Sequence, residues 1–273
     1  MQNLPCLKAG LALGLVVLLA ACGHHVQATS GSDYLAAYKT TGGDAGQSAA
    51  TDAEIAAAAK VEPQLRFPAR IGLARIGGDG LAPVPAAEAE AWKALAGRLG
   101  PGYGDFVPVS PLIAALATPV SAAAPVHRDP FSRYRKSLAQ VVREIRLGAA
   151  RQHLDAVLIY ETFGTSEETS NPLAVTKLAL IGFFLPTEDV AAKGSAQAVL
   201  VDVRNGYTYG LASAVAEQPV RRITTAGNSR AVGQSAQEQA RANATLALTG
   251  EVEAMLRDLR LALAEGRAAG RLR

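Results

Sequence analysis

The sequence predicts an α/β (α+β) body, one domain in which a mixed sheet is packed by helices, preceded by a flexible, lipidated N-terminal tether. Three observations carry this reading. Segments rich in β-branched residues follow one another in turn with segments of helical periodicity, the order that builds a sheet with helices on it. Asn205-Gly206 stands between two apolar runs, the strongest short-range signal for a hairpin. The one long uncharged stretch lies at the extreme N-terminus and has secretory rather than membrane-spanning length.

With 273 residues, the chain holds one domain, two at most, at roughly 100–200 residues per domain. The balance of 27 Lys+Arg against 24 Asp+Glu leaves a net charge of +3, too small and too evenly spread for a polyanion-binding protein. Nucleic acid is not an expected partner. Two cysteines exclude a disulfide scaffold, and a single long apolar run excludes a polytopic membrane protein.

Residues 1–21 read as a signal peptide, with Lys8 in a short n-region and Ala9–Ala21 as the apolar segment. Its end, Leu19-Ala20-Ala21-Cys22-Gly23, resembles the lipobox of bacterial lipoproteins. That resemblance implies cleavage between Ala21 and Cys22 and acylation of Cys22. Each buried acyl CH₂ contributes about 0.8 kcal/mol, so several chains anchor stably without a transmembrane helix. In this family an Asp after the cysteine commonly signals inner-membrane retention; Gly23 there implies the outer membrane, with the body facing the periplasm. Cys6 leaves with the signal peptide and Cys22 is consumed by lipid, so neither thiol catalysis nor a cysteine-based zinc site is expected.

Residues 22–62 are rich in Gly, Ser, Thr and Ala and read as the tether, with a root-mean-square reach of about 5–6 Å × √n. Asp52–Lys60 is expected to form a turn or two of helix. The body, residues 63–265, opens with a strand at Arg70–Ile76 that leaves through a turn at Gly77–Gly80. A helix from Pro85 carries Trp92, Leu95 and Leu99 and ends at Gly100. Asp105–Ile113 reads as an edge strand because of Pro108 and Pro111.

Asp129-Pro130 is an N-cap and first-turn pair for a helix that runs to about His153, with Tyr134, Leu138, Val141, Val142, Ile145 and Ala149 on one stripe. Ala156–Phe163 is a strand returned beside the first by a crossover. The apolar run Leu178–Leu185 has three readings: a buried strand, a short core helix, or a membrane-touching hairpin. Ala198–Val203 and Tyr207–Ala214 form the hairpin with a two-residue type I′ turn. Pro219–Ser235 reads as a polar, mobile loop, and a closing helix at Ala236–Glu265 buries Leu248, Val252, Met255, Leu256, Leu259 and Leu263. Residues 266–273 form a polar tail.

Several segments together resemble the bacterial rhombotarget lipoprotein family. They are Ser32-Asp33-Tyr34-Leu35, Leu65–Ala74, Leu154–Tyr160, Ile181–Pro186 and Ala198–Val203. The resemblance implies an envelope lipoprotein, without an assigned molecular function or catalytic residues to carry over. Gly266–Arg273 is short and polar and lacks the Gly-Gly, transmembrane and basic tail of rhombosortase substrates. The element order also resembles the α/β domain of periplasmic lipoproteins of the curli-secretion and penicillin-binding-protein-activator type, an analogy of fold alone.

No constellation of catalytic residues stands out, and no metal or cofactor is expected. His24-His25 beside Cys22 read as headgroup-contacting residues of the tether, and His153 as a cation at a helix C-terminus; His127 lies in a loop. Gly164-Thr165-Ser166-Glu167-Glu168 lacks the second glycine of a nucleophile elbow and reads as a turn. Gly77-Gly78-Asp79-Gly80 lacks the features of a phosphate loop. Glu167, Glu168, Glu188 and Asp189 read as solvated charges, with an envelope hydrolase using Glu167 or Asp189 as a remote alternative.

Two surfaces are singled out as partner or membrane contacts. One is the basic flank of the helix after Pro130, with Arg133, Arg135, Lys136, Arg143, Arg146 and Arg151, which is either a solvated face or a contact for anionic headgroups or an acidic partner. The other is the Leu178–Leu185 run, including Phe183 and Phe184, together with Tyr207 and Tyr209. The expected function is a non-enzymatic, lipid-anchored scaffold or accessory subunit in envelope assembly or secretion, binding the membrane through Cys22 and an envelope protein. The alternative is a homo-oligomeric secretion pore with residues 163–197 as a membrane-inserting hairpin.

Overall fold

A computed structural model describes residues 23–39, 49–78, 80–117, 137–170, 188–224 and 228–272. The lipobox with Ala21 and Cys22, the residues Arg133 and Lys136, and the Leu178–Leu185 run with Phe183 and Phe184 lie outside them. Among the described residues the chain is an α/β fold built on a mixed, eight-stranded sheet. The strands are β1 (Gly23–Val26), β2 (Ala69–Gly77), β3 (Gly80–Ala82), β4 (Gly104–Pro108), β5 (Ala156–Ser170), β6 (Glu188–Asp202), β7 (Thr208–Val215) and β8 (Val220–Thr224). Helices α1 (Gly31–Lys39), α2 (Ala49–Ala59), α3 (Ala86–Leu99), α4 (Pro111–Ala117), α5 (Leu138–Arg151) and α6 (Ser229–Ala268) complete it.

The strand order is β1-β7-β6-β5-β2-β3, with β4 also beside β2 and β8 beside β6. The expected crossover is present, for β2 runs parallel to β5 with Ile71 opposite Ala156 and Ile76 opposite Glu161. Strand β4 lies parallel to β2, and β3 turns back antiparallel at Gly77 opposite Gly80. The strand expected to reach Ile113 stops at Pro108, and Pro111 opens α4 because a proline needs no backbone N–H at a first helical position. Helix α5 is described from Leu138; the Asp129-Pro130 pair expected to open it lies outside the described residues. Ser137 is its N-cap, accepting from Gln140 N while Gln140 returns a side-chain bond to the Ser137 amide, a complete capping box.

The contacts group into two compact units. One comprises His25–Glu161, Ala198–Leu211 and Val252–Arg273. Here α5 lays Val141, Ile145 and Ala149 on Ala74, Val157, Ile159, Val201 and Val203. From α3, Trp92 packs edge-on against Tyr160, with ring centroids 5.0 Å apart. Glu88 on the same helix is 3% exposed and takes Arg75 Nε at 3.0 Å and the Tyr160 hydroxyl at 2.9 Å, so its buried charge is matched. Helix α3 is tied to α6 by Arg98 Nε donating to Glu253 at 2.6 Å.

The N-terminal segment corrects the tether reading for part of residues 22–62. Backbone pairing needs no apolar side chain, and Gln27 N donates to Tyr209 O at 2.8 Å directly after β1. Helix α1 follows at once, its start satisfied by Glu62, which accepts from Gly31 N at 3.2 Å and Ser32 N at 3.1 Å. The Asp52–Lys60 expectation is met by α2.

The other unit comprises Thr162–Gln197 and Ala212–Glu251 with the start of β1. Its packing is an alanine seam. Ala192, Gly194 and Ala196 of β6 face Ala236, Ala240 and Ala244 of α6, all buried, so the helix lies close on the strand. The loop expected at Pro219–Ser235 instead supplies β8, antiparallel to β6 with Ala191 opposite Arg221, and the first turns of α6. Arg221, Arg222 and Ile223 are exposed between buried Val220 and Thr224, the polar pattern of a short edge strand. The turn read at Gly164–Glu168 is the middle of β5.

A Cβ on Gly194 would run into the Ala240 carbonyl oxygen. Gly194→Ala is therefore expected to destabilise the fold by about 1–3 kcal/mol, the usual cost of overpacking against backbone, in a denaturant titration. An unchanged midpoint would contradict the close seam.

Candidate functional site

Strand β6 ends at Asp202, whose side chain is wholly buried. One carboxylate oxygen accepts from Arg204 N at 2.8 Å and Asn205 N at 3.4 Å, while Gly206 N donates to the Asp202 carbonyl at 3.1 Å and Asp202 N to Tyr207 O at 2.8 Å. The result is an Asx-capped loop rather than the expected two-residue turn. Only Gly206, at φ 80°, takes the left-handed conformation; Asn205 instead accepts Tyr207 N through its side chain at 2.9 Å.

The other Asp202 oxygen takes the Tyr209 hydroxyl at 2.7 Å, and that hydroxyl accepts Gln64 N at 2.9 Å and Leu65 N at 2.7 Å. Asn205 Nδ2 donates to the Glu62 carbonyl at 2.7 Å, and the Tyr207 hydroxyl to the Thr29 carbonyl at 2.8 Å. Tyr207 and Tyr209, singled out as surface residues, are both buried. They fasten Thr29, Gln64 and Leu65 to the hairpin, as Asn205 fastens Glu62.

This loop faces α5 and completes a cleft of about 640 Å³ lined by Arg143, Arg146, Leu147, Ala150, His153, Leu154, Asp155, Val203 and Arg204. Arg146 lends both Nε, at 3.3 Å, and Nη2, at 3.1 Å, to the Val203 carbonyl, so its guanidinium is fixed in orientation. Arg204 reaches Asp202 at 3.5 Å and Asp155 at 3.8 Å. Arg143 is exposed. Of the basic residues expected on this helix flank, the structure brings Arg143 and Arg146 together. Arg204 was missed, because a charged residue beside an Asn-Gly pair reads only as a polar turn.

His153 follows α5 in the left-handed conformation at φ 55°. At this helix end Arg70 Nη1 donates to the Gln152 carbonyl at 3.2 Å and to the His153 carbonyl at 3.4 Å, so a guanidinium meets the carbonyls there. Arg143 and Arg146, with Arg204 already close to Asp155 and Asp202, stand above an apolar wall of Leu147, Leu154 and Val203 and suit an anionic group carried on an apolar body.

The remaining candidates are dispersed. His24 lies in β1 with Nδ1 3.2 Å from Glu251, which places it in the fold rather than in a tether. Glu167 on β5 and Asp189 on β6 are exposed. Among the described residues, no group of three or more His, Cys, Asp or Glu side chains is placed to hold a metal, and no helix is long and apolar enough to cross a membrane.

No protein-family model matches the chain, and no curated protein does. Two solved structures of PelC dodecamers from Paraburkholderia phytofirmans, one a point variant, align with it. Both are 13% identical over 66% of this chain and 88% or 87% of theirs, with a TM-score of 0.23. At that TM-score neither architecture nor assembly transfers.

Burial first, then Glu62, pushes Tyr207 up to about 12. Burial also raises Tyr209, reinforced by its bond to Asp202, and Tyr160, reinforced by the Glu88 charge. A tyrosine raised on folding stabilises below its unfolded pKa of 10.0, and that contribution is lost as pH rises through the folded value. Stability is therefore expected to hold up to about pH 10 and to fall above it, with ionisation of Tyr160, Tyr207 and Tyr209, followed by their own ring resonances, rising together with unfolding. Ionisation of these three residues well below the unfolding transition would contradict the burial of their hydroxyls.

Proposed function

We propose that this chain is a lipid-anchored, non-enzymatic scaffold or accessory subunit of the bacterial envelope that receives an acidic partner in the cleft between α5 and the loop after β6. The observation that carries the reading is the fixed guanidinium of Arg146, held by two bonds to one carbonyl beside Arg143 and Arg204. With Nε and Nη2 engaged by that carbonyl, the remaining Nη hydrogens are pre-oriented, suit a carboxylate or phosphate and lose little freedom on binding one. The lipobox and the resemblance to rhombotarget lipoproteins supply the compartment, the periplasmic face of the outer membrane.

Anchoring takes a particular form in this proposal. Gly23, next to Cys22, already belongs to β1, so a lipid on Cys22 holds the sheet itself at the bilayer instead of a body on a long tether.

In vivo crosslinking of the wild-type protein, Cys22→Ala and Arg143→Ala, read by mass spectrometry, tests this. The wild type is expected to capture one defined acidic envelope protein, and Cys22→Ala to lose it together with membrane fractionation. Arg143 is exposed, so its removal leaves the fold intact and is expected to weaken capture about tenfold, roughly 1.4 kcal/mol. Undiminished capture by Arg143→Ala would overturn the cleft, and soluble Cys22→Ala with full capture would overturn the anchor.

A further inference from the structure

The unit containing β8 carries two strand edges of opposite charge. Strand β2 accompanies β5 only from Ala156 to Glu161, and among the described residues no strand lies beside Phe163–Glu167 on that side of β5. On the other side of β6, β8 pairs with β6 alone. Both edges therefore present main-chain groups able to extend a sheet. The β8 edge bears exposed Arg221 and Arg222; the β5 edge bears exposed Glu167, with Glu168 next in the strand.

The side chains agree in facing as well as in charge. Gly164 and Ser166 face α6, Gly164 against the Gln237 carbonyl and Ser166 accepting from Gln237 Nε2 at 2.7 Å, so Phe163 points to the opposite face. Ile223 stands opposite Asp189, whose neighbours Val190 and Ala192 pack on α6, so Ile223 shares the face of Phe163. Phe163 is 43% exposed and Ile223 67% exposed. Each edge thus offers one charge type and one uncovered apolar side chain on the same face of the sheet.

We infer that the occupant of these edges is a second copy of this chain, joined β8 to β5, head to tail. Pairing β8 with β8 would set arginines against arginines, and β5 with β5 glutamates against glutamates; like charges across a strand pair are unfavourable. Only the unlike pairing matches both charge and main chain. Such a contact is heterologous and leaves each new copy with one edge open, so it propagates until a ring closes or a filament grows. The inference does not use the cleft arginines and stands or falls separately from the partner proposed for them.

The test is a charge exchange in the full chain, purified in detergent, with mass read by light scattering and fold by circular dichroism. The wild type is expected to assemble beyond a monomer. Arg221→Glu with Arg222→Glu makes both edges acidic, and Glu167→Lys with Glu168→Lys makes both basic; each variant alone is expected to be monomeric and folded. Mixing the two variants restores unlike edges and is expected to restore assembly. A monomeric wild type, assembly that survives either double substitution, or a mixture that stays monomeric would each overturn the inference.

Discussion

The Asp202 carboxylate lies wholly out of solvent at the end of β6, and a buried charge left unmatched costs several kcal/mol. The surrounding chain is arranged to match it. Backbone amides of Arg204 and Asn205 turn back onto one oxygen, which sets the loop; the Tyr209 hydroxyl takes the other. Through Tyr209 the same charge reaches the amides of Gln64 and Leu65, and through the loop it presents the Val203 carbonyl to Arg146. Loop shape, docking of the N-terminal segment and the geometry of the cleft all follow from one desolvated anion.

Much of this architecture was legible in the sequence, for physical reasons that differ by element. Strand β2, helix α3 and the start of β5 announce themselves because large apolar residues recur at the right period, as with Trp92, Leu95 and Leu99. What escaped was built from residues without such contrast. Ala236, Ala240 and Ala244 bury one stripe of α6, but alanine is as common on helix surfaces as inside, so the helix was expected to start later than Ser229. Strand β1 has the sequence Gly-His-His-Val and is held by main-chain pairing, which no side-chain pattern records. At the site, Arg143 and Arg146 were readable from helical spacing, whereas Arg204 depends on a turn whose form is set by Asp202.

The two units differ in how their sheet surface is used. In the unit with β2, helices α3 and α5 cover the strands and the polar side chains are engaged internally, as Glu88 is by Arg75 and Tyr160. In the unit with β8, α6 lies along one face while Phe163 and Ile223 stand exposed on the other.

The central claim is that Asp202 and Tyr209 act as one unit, and a double-mutant cycle measures it directly. Stabilities of Asp202→Asn, Tyr209→Phe and the double variant would be compared with the wild type by denaturant unfolding. The account expects a coupling of about 0.5–3 kcal/mol, with the second substitution costing much less once the first is made. Losses that add within about 0.5 kcal/mol would mean that the two side chains act independently and would contradict the organising role of the buried carboxylate.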